Sequence, residues 1–396
     1  MDVSGKKLMI LGAGHHQVPL IRTAINLGLE AHVCSIAGDY PGIAIAPNFH
    51  EVDISKPQAV LQIARKISPD GILTTATDVC LESIGLVVDE LNLPGSGYET
   101  SSSCLSKVLM KRKLLQSGVP TAQYRVIRDV NSAIDFFNGQ NGPCVIKPAD
   151  SSGSRGVNKI SEEADVLQAF QSALKFSKSG TVLIEEWLEG EEFGAQAVVE
   201  GEQCKLLILH SDITTAPPRR IPVGHGCPHQ NEAELIEVVR SIVDDAIASL
   251  DIKNTISNID FILTENGPKI IELTCRMGGT RLPEVCGTFW GIDFYALAIH
   301  LALGQRTQLS PTPLGKPNAV HNLILDREGT VTSMGQIGEE YNHEIYFRKG
   351  DCIRLNSAQQ AEIGYIQLIR EGSLSVIEEL VNEVNRFTDS VQLMED

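Results

Sequence analysis

Three short runs of this chain combine charged side chains with a backbone able to bend, and they are where chemistry is expected. In NIDFILTENGPKIIELTCRMGGT, residues 258–280, Asp260 lies on one apolar run and Glu272 on a second, with TENG as the turn between them. Carboxylates that face each other across a hairpin repel unless a cation sits between them. Hard Mg2+, held by one or two carboxylates together with nucleotide phosphates, is the natural occupant. The apolar flanks IDFIL and KIIEL disfavour a merely solvated hairpin.

The second run is VIKPADSSGSRGVNKI, residues 145–160, where a β-branched pair leads into Lys147 and Pro148 and a glycine-rich loop follows. A strand–loop–strand unit of this kind can fold backbone N–H groups over a triphosphate. No Gly-Lys-Ser/Thr closes it, so it is not a P-loop. An ammonium at about 4 Å from a phosphate gains about 4 kcal/mol at an effective dielectric near 20, before desolvation. Taken alone, the run also reads as a plain surface hairpin. The third run, TVLIEEWLEGEEFGAQAVVEG at 181–201, is an apolar strand, an acidic turn and a second strand. A connecting strand between two lobes can offer backbone groups to an adenine edge, and a carboxylate one turn later can accept ribose hydroxyls.

Two further runs suggest other chemistries and fit them poorly. LMILGAGHHQVPLI, residues 8–21, has the strand–turn–helix pattern of a dinucleotide site, but Gln17 stands where the third glycine should be. The acidic residue that should end the second strand is also misplaced, because Asp39 comes late and within a turn. A nicotinamide-dependent oxidoreductase is therefore disfavoured, and Gly14 and His15 read as a turn lining a substrate cleft. In PPRRIPVGHGCPHQ, residues 217–230, His225, Cys227 and His229 alternate as metal ligands on one strand face would. Gly226 and Pro228 are expected to interrupt that strand and no fourth ligand is evident, which disfavours zinc. A rigid loop is expected instead, with Arg219, Arg220 or His225 near an anionic substrate. His300, within YALAIHLALG, reads as a core or helix-surface residue.

The elements that must position these residues follow an α/β pattern. KLMILGAG, EAHVCSI and DGILTTAT read as strands alternating with helical VPLIRTAINLGL, KPQAVLQIARKIS and LESIGLVVDELNL. That alternation implies right-handed βαβ units and a parallel sheet. LPGSGYETSSSC at 93–104 reads as a boundary loop and CLSKVLMKRKLLQSGVP as an amphipathic helix. QLSPTPLGKP marks a linker, after which HNLILD and HEIYFRKG read as strands and SVIEELVNEVNRF as a final helix. A length of 396 residues suits two to four subdomains. The net charge of −17 argues against a nucleic-acid partner, which demands a basic face. No apolar run reaches membrane-spanning length and MDVSGKK lacks a hydrophobic signal segment. Nine cysteines without a C-x-x-C pair suit free thiols in a reducing compartment, so a cytoplasmic protein is expected.

Taken in order, Lys107, the Lys147 strand, the SGSRG loop, EEWLEGEEF and the Asp260/Glu272 hairpin resemble the ATP-grasp superfamily over nearly the whole chain. The resemblance implies a Rossmann-like parallel-sheet domain at 1–97 that does not hold ATP. It further implies a connecting helix at 98–125, a small ATP-grasp lobe at 126–192, a large lobe at 193–310 and a small α+β domain at 311–396. By position, Lys107 and Lys147 match the phosphate-binding lysines, and Gly153, Ser154 and Gly156 the lid. Glu185, Glu186 and Leu188 match the adenine hinge, Glu192 the ribose carboxylate, and Asp260 and Glu272 the metal ligands. The family usually has asparagine as a further metal ligand where this chain has Thr274, so a second metal rests on that hydroxyl or on water.

Implied cofactors are ATP and Mg2+, with Mn2+ as an alternative. The implied chemistry is phosphorylation of a carboxylate followed by attack of an amine, with Arg276 stabilising the acyl-phosphate and the tetrahedral intermediate. Biotin carboxylases carry Glu-His-Pro-Val-Thr-Glu after that arginine, whereas MGGTRLPEVCG has no acid–histidine pair. Bicarbonate activation, as in carboxylases or carbamoyl-phosphate synthases, is thereby disfavoured. GGT followed by GIDF is similar to amino-acid ligases of the superfamily, in which Gly278, Gly279 and the arginine would hold a substrate carboxylate. Arg281 is a second candidate for that role or else part of a structural ion pair. The expected partners are small carboxylate and amine substrates, and a homodimer is common in the family.

Overall fold

A computed structural model describes residues 2–140, 142–151, 155–215, 221–356, 360–370 and 373–394. Strands β1 (Lys7–Leu11), β2 (Glu30–Ser35), β3 (Asn48–Glu51) and β4 (Gly71–Leu73) pair in parallel in the order β3-β2-β1-β4. Their near-continuous apolar runs are those of a sheet covered on both faces. Leu8 and Ile10 face helices Val18–Asn26 and Phe294–Ala302, while Met9 and Leu11 face helices Pro57–Ile67 and Leu81–Leu91. The N-terminal sheet thus shares one core with a helix from nearly three hundred residues along the chain.

Strands β5 (Tyr124–Ile127), β6 (Cys144–Pro148), β7 (Asn158–Ile160) and β8 (Val182–Glu186) form an antiparallel sheet ordered β5-β8-β6-β7. Helices Val130–Asn138 and Val166–Phe176 bury Phe136, Ala169 and Phe170 against its Ile127, Ile146 and Ile184. The first of these helices starts at a capping box, where Asp129 accepts from the Ser132 N–H at 2.7 Å.

The remaining strands are β9 (Glu191–Glu200), β10 (Gln203–Thr214), β11 (Pro222–Cys227), β12 (Thr255–Thr264), β13 (Gly267–Thr274), β14 (Asn318–Leu325), β15 (Gly329–Ser333), β16 (Asn342–Ile345), β17 (Cys352–Ile353), β18 (Ala361–Ile369) and β19 (Gln392–Met394). Eight of them make one antiparallel sheet in the order β13-β12-β9-β10-β11-β14-β18-β16. On β9, Phe193, Ala195, Ala197 and Val199 pack under helix Glu232–Leu250, whereas Val198 packs with Ile208 and helix Leu282–Trp290 on the opposite face. Hydrogen bonding between β11 and β14 carries this sheet across the domain boundary expected at residue 310. Strands β15, β17 and β19 form a small separate sheet, and helix Ser373–Ser390 buries Leu380 and Phe387 beside Leu323 and Ile363. No single described helix is long and apolar enough to cross a membrane.

Two sequence expectations are corrected. Residues 98–104, within the run 93–104 that reads as a boundary loop, belong to the helix Tyr98–Leu105. Its small side chains allow the close approach that sequence reading took for a loop signal: a Cβ on Gly85 would come within 2.7 Å of the Tyr98 Cα. Asp89 caps the helix from a neighbouring one, accepting the Tyr98 N–H at 2.8 Å, and the Ser103 hydroxyl is satisfied by the Glu99 carbonyl. Within the segment expected as an interrupted loop, Pro222–Cys227 is likewise the strand β11, paired with β10 through one register shift and with β14 on its other side. Its glycines do not break it. A Cβ on Gly224 would collide with the Val320 carbonyl oxygen, so glycine is what lets β14 come close.

Gly224→Ala should therefore lower the unfolding free energy by about 1–3 kcal/mol, the cost of forced overpacking. Gly142→Ala, at a position open to solvent, should change it by less than about 0.5 kcal/mol. Urea denaturation of the two variants checks this, and equal midpoints would contradict the close approach.

Candidate active site

The β12–β13 hairpin sets Asp260 directly opposite Glu272, and Asn258 opposite Thr274, with a bulge between Asp260 and Phe261. Ile259 and Phe261 point into the core under helix Glu232–Leu250, which leaves Asn258 and Asp260 for the other face. There they line a cleft of about 580 Å³ together with Asp78, Lys107, Asp212, His225, Glu272, Thr274, Arg276 and Gly279. Asp260 is the most perturbed carboxyl there. Burial, then the charges of Asp212 and Glu272, push it up to about 8, against a weaker opposing hydrogen bond from the Asn258 amide at 2.9 Å.

The cations answer this crowding only in part. Lys107 begins the helix Lys107–Gln116 and donates to Glu272 Oε1 and to the Ser151 carbonyl, each at 2.9 Å. Burial would lower the Lys107 ammonium, but Glu272 outweighs it and the group is held above its usual range. Arg276 is gripped by Asp78, with Nε and Nη2 each donating at 2.8 Å to a different oxygen of that carboxylate. Thr274 also donates its hydroxyl to Asp78, at 3.0 Å. The Asp78 carboxyl is buried, which would raise it, yet the Arg276 guanidinium holds it below the usual carboxylate range. Asp78, Asp150, Asp212, Asp260 and Glu272 thus share a cleft with Lys107, Arg155, Lys178 and Arg276. The opposed carboxylates of Asp260 and Glu272, the first pushed up toward neutral pH, are hard oxygen donors that fit a divalent cation.

Beside the cleft lies a second charge cluster. Glu185 Oε2 accepts from Lys147 at 2.9 Å and from Lys111 at 3.3 Å, and Lys111 also donates to the Thr121 hydroxyl at 3.0 Å. Burial would raise Glu185, but the two lysines keep it below its usual range. Lys111, fully enclosed, is driven by burial down to about 8 despite Glu185. The Glu185 side chain therefore serves to fix Lys147. Glu186, next along, accepts from Lys269 at 3.0 Å and from the Gln123 N–H at 3.1 Å. Leu188 and Glu192 are half-buried where β8 passes into β9.

The structure brings Lys107, Asp260, Glu272, Thr274, Arg276, His225 and Gly279 to one cleft, and it leaves other expected residues outside that wall. Gly153, Ser154, Arg219 and Arg220 lie outside the described residues. Gly156 is in the left-handed region at φ +74°, with Phe176 and Pro148 where a Cβ would go. Gly278 donates its N–H to the Gln196 side chain at 3.0 Å. Arg281 is buried in an ion pair with Glu284 at 2.9 Å, bonded to the Tyr346 hydroxyl and stacked 4.2 Å over Tyr365. His15 stacks on the same Tyr346 with ring centroids 3.9 Å apart. The Gly14 turn is filled by Gln17, which accepts the Gly14 N–H at 2.9 Å and donates to Thr75 O at 2.7 Å. A pyrophosphate has no place in that turn.

Sequence reasoning missed Asp78, Lys111, His210 and Asp212. Asp78 alone carried a signal, since it follows a parallel strand at its carboxyl end, where α/β sheets place their sites.

Residues 105–281 match the phosphoribosylglycinamide synthetase ATP-grasp (A) domain family. The whole fold is similar to phosphoribosylglycinamide synthetase from Anaerococcus prevotii, at 26% identity and a TM-score of 0.81, covering 99% of this chain and 100% of that one. L-amino acid ligase from Bacillus licheniformis has the same fold, with a TM-score of 0.80 at 18% identity over 99% of both chains. Formate-dependent phosphoribosylglycinamide formyltransferase of Sulfurisphaera tokodaii is 25% identical over 351 residues, 82% of each protein. Other curated relatives are longer, and the chain spans only 18% of the trifunctional purine biosynthetic protein adenosine-3 of Drosophila pseudoobscura. Residues 105–281 thus carry an ATP-grasp domain. Its class is that of ATP-dependent carbon–nitrogen ligases.

The Asp260 carboxyl carries a pH test. Its folded value, raised from 3.8 to about 8, means that its contribution to stability is complete in acid and is lost as pH rises toward 8. Without divalent cation, Asp260→Asn should raise the melting temperature at pH 8.5 and change it little at pH 5. Adding Mg2+ and ATP to the unsubstituted protein should stabilise it more at the higher pH. A variant less stable than the parent at pH 8.5 would contradict the charge crowding.

Proposed function

We propose that the protein joins a carboxylate to an amine at the expense of ATP, through an acyl-phosphate, releasing ADP and phosphate, and that an amino acid supplies the carboxylate. The observation that carries this reading is Arg276, clamped by both oxygens of Asp78 on the same cleft wall as Asp260 and Glu272. A guanidinium fixed in advance stabilises charge that develops in the transition state without reorganising. Lys107 and Lys147, one at each side of the lobe junction, would face the phosphates of ATP. Glu186, Leu188 and Glu192 would line the nucleoside. Asp260 and Glu272, with Thr274 beside them, would hold Mg2+, which neutralises charge on the transferring phosphoryl group.

Likeness to a phosphoribosylglycinamide synthetase over the whole chain and to an L-amino acid ligase in fold supports an amine as the acceptor. Bicarbonate as the activated carboxylate is less well supported. Glycines follow Arg276, and the Arg281 guanidinium is engaged by Glu284. A dinucleotide reading is opposed by Gln17, which fills the Gly14 turn after the first strand of the N-terminal sheet.

At a hundredfold excess over its dissociation constant, Mg·ATP should stabilise the protein by about 2.7 kcal/mol, and NAD should not. Supplying ATP, Mg2+, hydroxylamine and each of the twenty L-amino acids in turn should yield a hydroxamate and one ADP per product. Arg276→Ala should lower that rate by about a hundredfold or more, and Glu272→Gln should abolish it with ATP binding retained. Thermal shifts with NAD alone, or release of AMP and pyrophosphate, would overturn the reading.

A further inference from the structure

Strands β10 and β11 carry a group of side chains that the expected ATP-grasp machinery leaves unused. Their register sets Asp212 directly opposite His225, and His210 lies two residues before Asp212, on the same face of the sheet. Asp212 Oδ1 accepts from Nδ1 of His225 at 2.8 Å and from Nδ1 of His210 at 3.0 Å. Burial would raise this carboxyl, but the two imidazole hydrogen bonds hold it well below the usual carboxylate range, so it is ionised. Each imidazole therefore carries its proton on Nδ1, and Nε2 keeps a lone pair. The two rings differ in what that lone pair meets. His210 Nε2 is enclosed with no partner among the described residues, whereas His225 lines the cleft that holds Asp260, Glu272 and Arg276.

We infer that His225, oriented by Asp212, is the general base that takes a proton from the attacking ammonium. The inference rests on the ligase reading above, because an amino group reaches neutral pH as an ammonium with no lone pair to attack with. The proton passes from the ammonium nitrogen to His225 Nε2. The freed lone pair forms the C–N bond at the acyl carbon, and the C–O bond to phosphate breaks. A second N–H proton leaves with the phosphate, so the products are the amide, hydrogen phosphate and a protonated His225 that returns its proton to water. Asp212 acts as a positioning residue that selects the tautomer and stabilises the imidazolium as it forms.

The same three side chains place their donor atoms within 4.8 Å of one another, which also suggests a metal site. The enclosed His210 Nε2 argues against it. If Nδ1 bound a metal, Nε2 would carry a proton with no acceptor, whereas metal-bound histidines nearly always donate their second N–H.

The test compares two amines in the full-length protein, using the L-amino acid that gives the most hydroxamate. Hydroxylamine is largely unprotonated at neutral pH and needs no base, while the twenty L-amino acids offered as acceptors are ammonium ions. His225→Gln should slow peptide formation by about 10²- to 10⁴-fold and leave hydroxamate formation close to that of the parent. Asp212→Asn should show the same split, and 15N NMR of the parent should find His225 protonated on Nδ1. Equal losses with both amines, no loss with either, or a parent tautomer protonated on Nε2 would overturn the inference. So would a stoichiometric transition metal in the purified protein that His225→Gln removes. A parent that makes no hydroxamate from any amino acid would fail the ligase reading itself, and this inference with it.

Discussion

Asp78, Asp212, Asp260 and Glu272 are four of the carboxylates that line one cleft, and the cost of holding their charge partly apart from water governs much of its design. Each of three is given a specific partner. Asp78 has both nitrogens of the Arg276 fork, Glu272 has Lys107, and Asp212 has two imidazoles. Asp260 has an asparagine amide and the more distant charge of Arg276 against burial and two like charges, so it carries the largest shortfall. A buried carboxylate left in that state is expensive unless it binds a proton or a cation. The site is therefore poised to gain stability when a divalent cation and its phosphates arrive, and coupling of binding to order follows from electrostatics alone.

Backbone register does most of the positioning. Asp260 with Glu272, Asn258 with Thr274, and Asp212 with His225 are directly opposed residues on antiparallel neighbours, so each pair is fixed by hydrogen bonds of the sheet rather than by long flexible side chains. The sheet itself is rigid because β9 is packed on both faces, against helix Glu232–Leu250 on one side and the Leu282–Trp290 core on the other. The lysine cluster is anchored differently. Glu185 on β8 holds Lys147 on β6 through the small sheet, and Lys111 ties that carboxylate to Thr121, whose hydroxyl donates to the Ile270 carbonyl of β13 at 2.7 Å. The lysine cluster beside the small sheet is thus linked mechanically to the β12–β13 hairpin that carries Asp260 and Glu272.

The parts of this arrangement legible in the sequence are those set by local pattern. The TENG turn between two apolar runs fixes the Asp260/Glu272 hairpin, and the strand–helix alternation before residue 97 gives the parallel sheet. What was illegible arises from tertiary approach. Asp78 meets Arg276 from 198 residues away, and nothing around Asp78 announces the partner. Gly226 reads as a strand breaker because the sequence shows its freedom and not its pairing with Ser211 of β10 and Ala319 of β14. Glu185 and Glu186 look equivalent in a row of acids. Alternation on β8 sends the first inward to Lys147 and the second toward Lys269.

The account's central claim is that this crowded cleft transfers the γ-phosphoryl group of ATP to a carboxylate before any amine takes part. Positional isotope exchange tests it most directly, with ATP carrying 18O in the β,γ-bridge, Mg2+, a pool of L-amino acids as carboxylates, and the amine step blocked by the His225→Gln substitution. Reversible acyl-phosphate formation predicts that the label scrambles into the β-nonbridging positions, dependent on the amino acids and abolished by Glu272→Gln. A label that stays in the β,γ-bridge while AMP and pyrophosphate form would contradict it.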